Sequence, residues 1–197
     1  MQEESSQLLV GAAQAAIGRH GLIAGVEAIY RCADAATAAR QPACRQCGRC
    51  CQFRRLGHRL FVSTAEAAFF LQSTSVLRVT GSFGGVCPFL REVPARCAAR
   101  MARPLGCRLY YCDTATRRWQ EGLYSRLHRR LQDLHQAVGV PYFYAEWLAV
   151  LRAAAAPPVA EGCPRKTTLP ETISGGPVDR NPLPPYALNV RARRMAR

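Results

Sequence analysis

Apolar residues recur at helical steps across residues 7–38. Leu8, Leu9, Ala12, Ala15 and Ala16 form one series, and Leu22, Val26, Ile29 and Tyr30 continue it after His20-Gly21. Gly21 is expected to end or bend the first helix, and Pro42 to stop the second. Residues 59–62 alternate weakly and predict a short strand. Ser63-Thr64-Ala65-Glu66 is the signature of a capping box, in which Ser63 caps the helix start and Glu66 reaches back. The helix it opens runs to about Leu71, with Ala67, Phe70 and Leu71 as its apolar face. Residues 76–80 predict a second strand, and Gly81, Gly84 and Gly85 a turn. Residues 91–115 read as irregular. The clearest helix covers about 116–138: Trp119, Leu123, Leu127, Leu131, Leu134 and Val138 share one face, with Arg126, Arg129, Arg130 and Asp133 elsewhere. Pro141 breaks it, and 142–152 predicts a last helix with Trp147, Leu148 and Leu151 in the core. From 154 onward prolines dominate and the chain is expected to be disordered.

The cysteines change this picture most. The chain of 197 residues has ten. Cys44, Cys47, Cys50 and Cys51 form the run C-x-x-C-x-x-C-C, and Cys87, Cys97, Cys107 and Cys112 follow. A thiolate is a soft ligand for zinc, Cu(I) or the iron of iron–sulfur centres. The start, MQEESSQLLVG, lacks the positive region of a signal peptide. The apolar stretches fall short of the about 20 residues a membrane span needs. A cytoplasmic chain is therefore expected, its thiols reduced and available to metal rather than paired as disulfides. The fold class that follows is mainly α: a small helical domain with irregular cysteine-rich metal-binding loops and little β. Its parts are an N-terminal helical segment (1–43), a cysteine-cluster core (44–115), helices packing on that core (116–153) and a basic Pro-rich tail (154–197). With 49% hydrophobic residues, the chain can build a core without covalent staples.

Three uses of the thiols compete. An iron–sulfur cluster takes four thiolates, and the first three cysteines match the start of the bacterial ferredoxin run, although Cys-Pro comes only at Cys87-Pro88. Two zinc sites would use all eight. A C-x-x-C redox pair lacks its βαβ context here. Adjacent side chains in extended backbone point apart, so Cys50 and Cys51 suggest two metals, a spare thiol or a polynuclear centre. The spacing of the first three and the surplus thiol favour iron–sulfur over zinc.

The order C-R-Q-C-G-R-C-C at 44–51, C-P-F-L at 87–90, Cys97, and R-P-L-G-C-R at 103–108 resembles the CxxCxxCC cysteine-cluster family, the YkgJ-like zinc- or iron-chelating proteins. The likeness covers residues 44–112. It implies metal binding through Cys44, Cys47, Cys50, Cys51, Cys87, Cys97 and Cys107, with Cys112 or a histidine completing the set. It does not imply a reaction. Some relatives occur beside flagellin lysine methylation, but no glycine-rich SAM-binding loop is present.

Charge adds a rival. The net charge is +14, nearly all from arginine, with Lys166 the only lysine. That is compatible with a zinc-stabilised module contacting nucleic acid or a protein through its Arg-rich surface. Heavy Ala and Arg usage and the negative charge of bound thiolates both weaken a nucleic-acid partner. Arg45, Arg49, Arg103 and Arg108 flank the cysteines and are candidates to balance that charge. His58 lies near the first cysteines and is a candidate ligand, although a lone histidine is more often satisfied elsewhere. His128 and His135 read as structural, with His135 a reserve ligand. Cys32 reads as a small buried hydrophobe and Cys163 as a free tail thiol. Asp113, Glu121 and Glu146 are scattered and make no catalytic pair.

Overall fold

The computed structural model describes residues 2–45, 47–74, 84–92 and 95–156. The strand expected at 76–80, Cys163 and the tail from 157 lie outside these. Of the described residues 65% are helical and 8% are in strands, which is the mainly helical class.

α1 (Gln2–Ala16) and α2 (Leu22–Arg40) meet at Gly21, whose φ of 80° turns the chain. α1 buries Leu9, Val10, Ala13 and Ala16, while Leu8 stays 55% exposed. The inward stripe is thus set one residue round from Leu8 and Ala15. α2 buries Leu22, Val26, Ile29, Tyr30 and Ala33. Gly25 allows close approach to α6 (Arg117–Val138): a β-carbon there would lie 2.5 Å from Leu134 Cδ1. The short α3 (Phe53–Leu56) follows the cysteine run.

β1 (Phe61–Ser63) leads into α4 (Thr64–Ser73) through a complete capping box. Glu66 Oε2 accepts from Ser63 N–H and Ser63 Oγ, each at 2.9 Å. α4 is buried all round from Thr64 to Phe70, with Leu71 only partly covered. The expected single apolar face is therefore wrong. α1 and α2 both pack on α4, so every side needs small or apolar residues.

The region 91–115 is more ordered than its sequence suggests. β2 (Leu90–Glu92) and β3 (Ala95–Cys97) pair antiparallel, with Leu90 opposite Cys97. Single 3-10 turns follow at Arg100–Ala102 and Thr114–Thr116, with α5 (Leu105–Leu109) between them. α5 starts after Pro104, and the Leu105 N–H, an orphan donor at a helix start, goes to Glu66 Oε1 at 2.8 Å.

α6 buries Leu123, Leu127 and Leu131 as the stripe predicts, and with them Gln120, His128 and His135. Arg19 Nε donates to the Val138 carbonyl at 2.9 Å and closes its C-terminus. The last predicted helix begins later than expected. β4 (Tyr144–Glu146) pairs antiparallel with β1, and α7 (Trp147–Ala155) follows. Tertiary pairing overrides local pattern here: Thr64 N–H donates to the Phe143 carbonyl at 3.2 Å, and Phe143 N–H to Thr64 Oγ1 at 3.0 Å. One apolar core runs from Leu9 in α1 to Ala154 in α7. No helix among the described residues is long and apolar enough to cross a membrane.

Candidate metal centre

Three backbone connections and one side-chain staple bring the distant cysteine blocks together. The 3-10 turn Arg49–Cys51 opens at Gly48, which has φ 66° and sits so close to Leu90 that a β-carbon would meet its Cδ1 at 2.7 Å. The positive φ favours glycine there, and the approach of Leu90 adds to that preference. Cys87 N–H donates to the Cys51 carbonyl at 2.8 Å, and Arg54 N–H to the Gly85 carbonyl at 3.0 Å. The β2–β3 pairing then carries Cys97 back across from Leu90, and the Glu66–Leu105 bond fixes the start of the helix holding Cys107.

Cys44, Cys50, Cys51, Cys87, Cys97 and Cys107 line one cavity of about 300 Å³. Phe53, Phe70, Phe89 and Trp147 wall it. Cys112 lines a separate recess of about 240 Å³ with Arg49 and Asp113. Its thiol still feels Cys50, Cys47 and Cys44. Two neighbourhoods therefore adjoin: Cys51, Cys87, Cys97 and Cys107 inside, and Cys44, Cys47 and Cys112 at the exposed edge. Cys50 is felt from both sides. All of these thiols are unpaired. No three or more His, Cys, Asp or Glu side chains among the described residues converge on a position for a single ion.

Electrostatics follows from the crowding. Cys51 donates to Cys50, and that bond pulls the Cys50 thiol down to about 6 while holding the Cys51 proton in place. Burial pushes Cys87 up to about 11, partly opposed by hydrogen bonds from the Phe89 backbone and the Trp147 side chain. Burial first, and other thiols second, also raise Cys107, and burial raises Cys97. A cation reverses this order, because a coordinating thiol gives up its proton. Arg103 supplies positive charge toward Cys50, Cys97 and Cys107, and its Nη1 donates to the Cys107 carbonyl at 3.3 Å.

Arg108 does something else. Its guanidinium is buried, lies 4.1 Å over the Tyr30 ring, pairs with Asp34 at 2.6 Å and donates to the carbonyls of Arg103 and Met101. It staples α5 to α2 instead of facing the sulfurs. His135 is no reserve ligand either: Nε2 accepts from Ala65 N–H at 3.1 Å, and Nδ1 lies 3.1 Å from the Val140 carbonyl. His128 is held by the hydroxyls of Tyr142 and Tyr124. Cys32 is exposed, with Arg130 Nη1 3.3 Å from its sulfur, so it is not the buried hydrophobe expected. A helix face that alternates with charged neighbours left it outside the α2 stripe. His58 does line the cavity, and burial lowers its pKa.

Sequence reading missed Gln120. From α6 it accepts from Tyr111 N–H at 3.0 Å and donates to the carbonyls of Tyr111 and Asp113, clamping the backbone on both sides of Cys112. Asp113 in turn accepts from Ala43 N–H at 3.2 Å, tying the end of the cluster to its beginning. The available signal was a glutamine on the stripe three residues before Leu123.

No curated protein and no solved structure matches this chain. Residues 43–123 match the sequence model of the CxxCxxCC family, described as a "putative zinc- or iron-chelating domain". The match takes in all eight clustered cysteines and runs into α6. Over residues 43–123 the chain is thus similar to the CxxCxxCC family.

Proposed function

We propose that Cys44, Cys47, Cys50, Cys51, Cys87, Cys97, Cys107 and Cys112 hold an iron–sulfur cluster or zinc, with iron–sulfur the better fit and a redox or metal-handling role. One observation carries the choice: six thiols surround a space of about 300 Å³ without converging on any single-ion position. Four sulfurs about 2.3 Å from one zinc would need a much tighter set. A polynuclear centre, with inorganic sulfide between its irons, spans a wider gap.

When bound, such a centre supplies one-electron exchange. The chain's own residues tune it. Trp147, on the cavity wall, opposes the rise that burial imposes on the Cys87 thiol. Arg103 offsets thiolate charge, and Phe53, Phe70, Phe89 and Trp147 give the cavity an apolar wall. Reduced thiols need a reducing compartment, so a cytoplasmic location is part of this reading.

Metal analysis with a visible spectrum, on protein purified without oxygen, tests it. Iron with acid-labile sulfide and a broad band near about 400 nm is the expected result. Zinc with a featureless spectrum replaces the iron reading with a structural site, and gives weight to an interaction surface on the exposed Arg126, Arg129 and Arg130 of α6. A folded, metal-free protein overturns both.

A further inference from the structure

His58 leaves one buried polar atom unused. Its Nε2 lies 3.1 Å from the Cys50 carbonyl oxygen. A carbonyl only accepts, so Nε2 is the donor and carries the proton. In the neutral ring Nδ1 then keeps its lone pair. That nitrogen is sealed from solvent and has no hydrogen-bond partner. An unsatisfied buried acceptor is costly, and folded proteins retain few of them without a use.

The ring is also held in place. Tyr110 stacks on it with 5.2 Å between centroids and 7° between planes, and Phe53 meets it edge-on at 5.0 Å. All three line the cavity that Cys50, Cys51 and Cys107 share. The imidazole is thus fixed by one hydrogen bond and two ring contacts, and its unpartnered nitrogen is buried in a ring that lines the cavity of the cysteines. Metal-binding histidines are commonly oriented this way, by giving the other ring N–H to a backbone carbonyl. Cys112, the other residue able to complete the ligand set, lines a different recess.

We propose that His58 Nδ1 is a nitrogen ligand of the metal centre on the Cys50 side of the cavity. The inference rests on the metal-binding reading above and adds to it a mixed sulfur and nitrogen centre. A neutral imidazole in place of a thiolate removes one negative charge from the centre, which raises the reduction potential of bound iron.

The full chain loaded anaerobically with cobalt(II) gives the test, because the visible bands of cobalt report its sulfur and nitrogen ligands. His58→Ala should shift those bands and weaken cobalt binding about tenfold or more. Added imidazole should restore the original spectrum, which a purely structural role would not allow. Cobalt binding and bands unchanged in His58→Ala overturn the inference. A measurement on the unsubstituted chain guards against a variant that does not fold: with isotope-labelled histidine and cadmium(II), the His58 Nδ1 resonance should show coupling to the metal. A free-imine signal at Nδ1 in the loaded protein overturns the proposal. If the wild-type chain takes up neither metal and also carries neither iron nor zinc as purified, the metal-binding reading falls as well. Metal uptake with His58 silent removes this inference alone.

Discussion

The helices α1, α2, α6 and α7 are joined by apolar stripes, in which Leu9, Leu22, Val26 and Leu131 are wholly buried. The cysteine segment between them is joined by polar groups. Glu66 serves Ser63 and Leu105, Arg108 serves Asp34 and two carbonyls, and Gln120 grips the backbone around Cys112. An apolar stripe spreads its stabilisation over many contacts, and a substitution of similar volume is tolerated. A buried polar staple concentrates it, since removing one side chain leaves several backbone groups without partners. The frame can therefore drift in sequence, while the segment depends on single residues that are not themselves ligands.

Glu66→Ala should break this contrast most sharply if it is wrong. The substitution orphans the buried N–H groups of Ser63 and Leu105. At about 1–3 kcal/mol for each, the loss should be about 2–6 kcal/mol in urea unfolding. Metal content should fall too, because Leu105 begins the helix that carries Cys107. A loss below about 1 kcal/mol with full metal content would mean that the segment is held by its packing, as the frame is.

The contrast also explains what could be read from sequence. α6 was legible because its stripe is long and periodic, and α4 because Ser63 and Glu66 form a local capping box. The second duty of Glu66, at Leu105, was not: it joins residues 39 apart, and no local pattern encodes it. Arg108 looked like a partner for sulfur because it follows Cys107 in the chain, yet the α5 geometry turns it toward Asp34 in α2. β4 read as helix because 142–152 is apolar, and only its pairing with β1 decides otherwise. The clustering of cysteines was legible from spacing and family likeness, and six of the eight line one cavity. Their division between an inner cavity and an exposed edge depends on the β2–β3 pairing and on Gln120, which are tertiary facts.

Acid should act on the frame before it acts on the segment's staples. Burial holds His128 near about 4, with His135 adding to the fall. The unfolded chain takes up its histidine protons near about 6.5. The stability contributed by neutral His128 is thus whole above about 6.5 and is lost as pH drops from there to about 4, by about 3 kcal/mol at most. His135, also lowered by burial, acts in the same direction. Glu66 has the opposite sign: burial raises its pKa, so proton uptake favours the folded chain as pH falls toward the unfolded carboxylate value. Unfolding free energy measured between those limits should fall steeply in the wild type and less in His128→Gln. Equal slopes would remove His128 from the acid response and leave the frame no more acid-sensitive than the segment.

The smallest expected effect sharpens the boundary between the two regions. Cys32 lies on α2, in the frame, and its exposed sulfur meets only Arg130 among the contacts described. Its position in the chain, 12 residues before Cys44, makes it the obvious ninth thiol for the cluster. The fold argues against that. α2 turns Leu22, Val26, Ile29, Tyr30 and Ala33 into the core and leaves Cys32 outside, and Cys32 does not line the cysteine cavity. Cys32→Ser should therefore change stability by less than about 0.5 kcal/mol, the usual range for an exposed site without a structural duty. It should leave the metal-to-protein ratio and the visible spectrum as they are. A drop in bound metal would extend the centre into α2, and the separation between a frame built from apolar stripes and a metal segment built from thiols and polar staples would no longer hold.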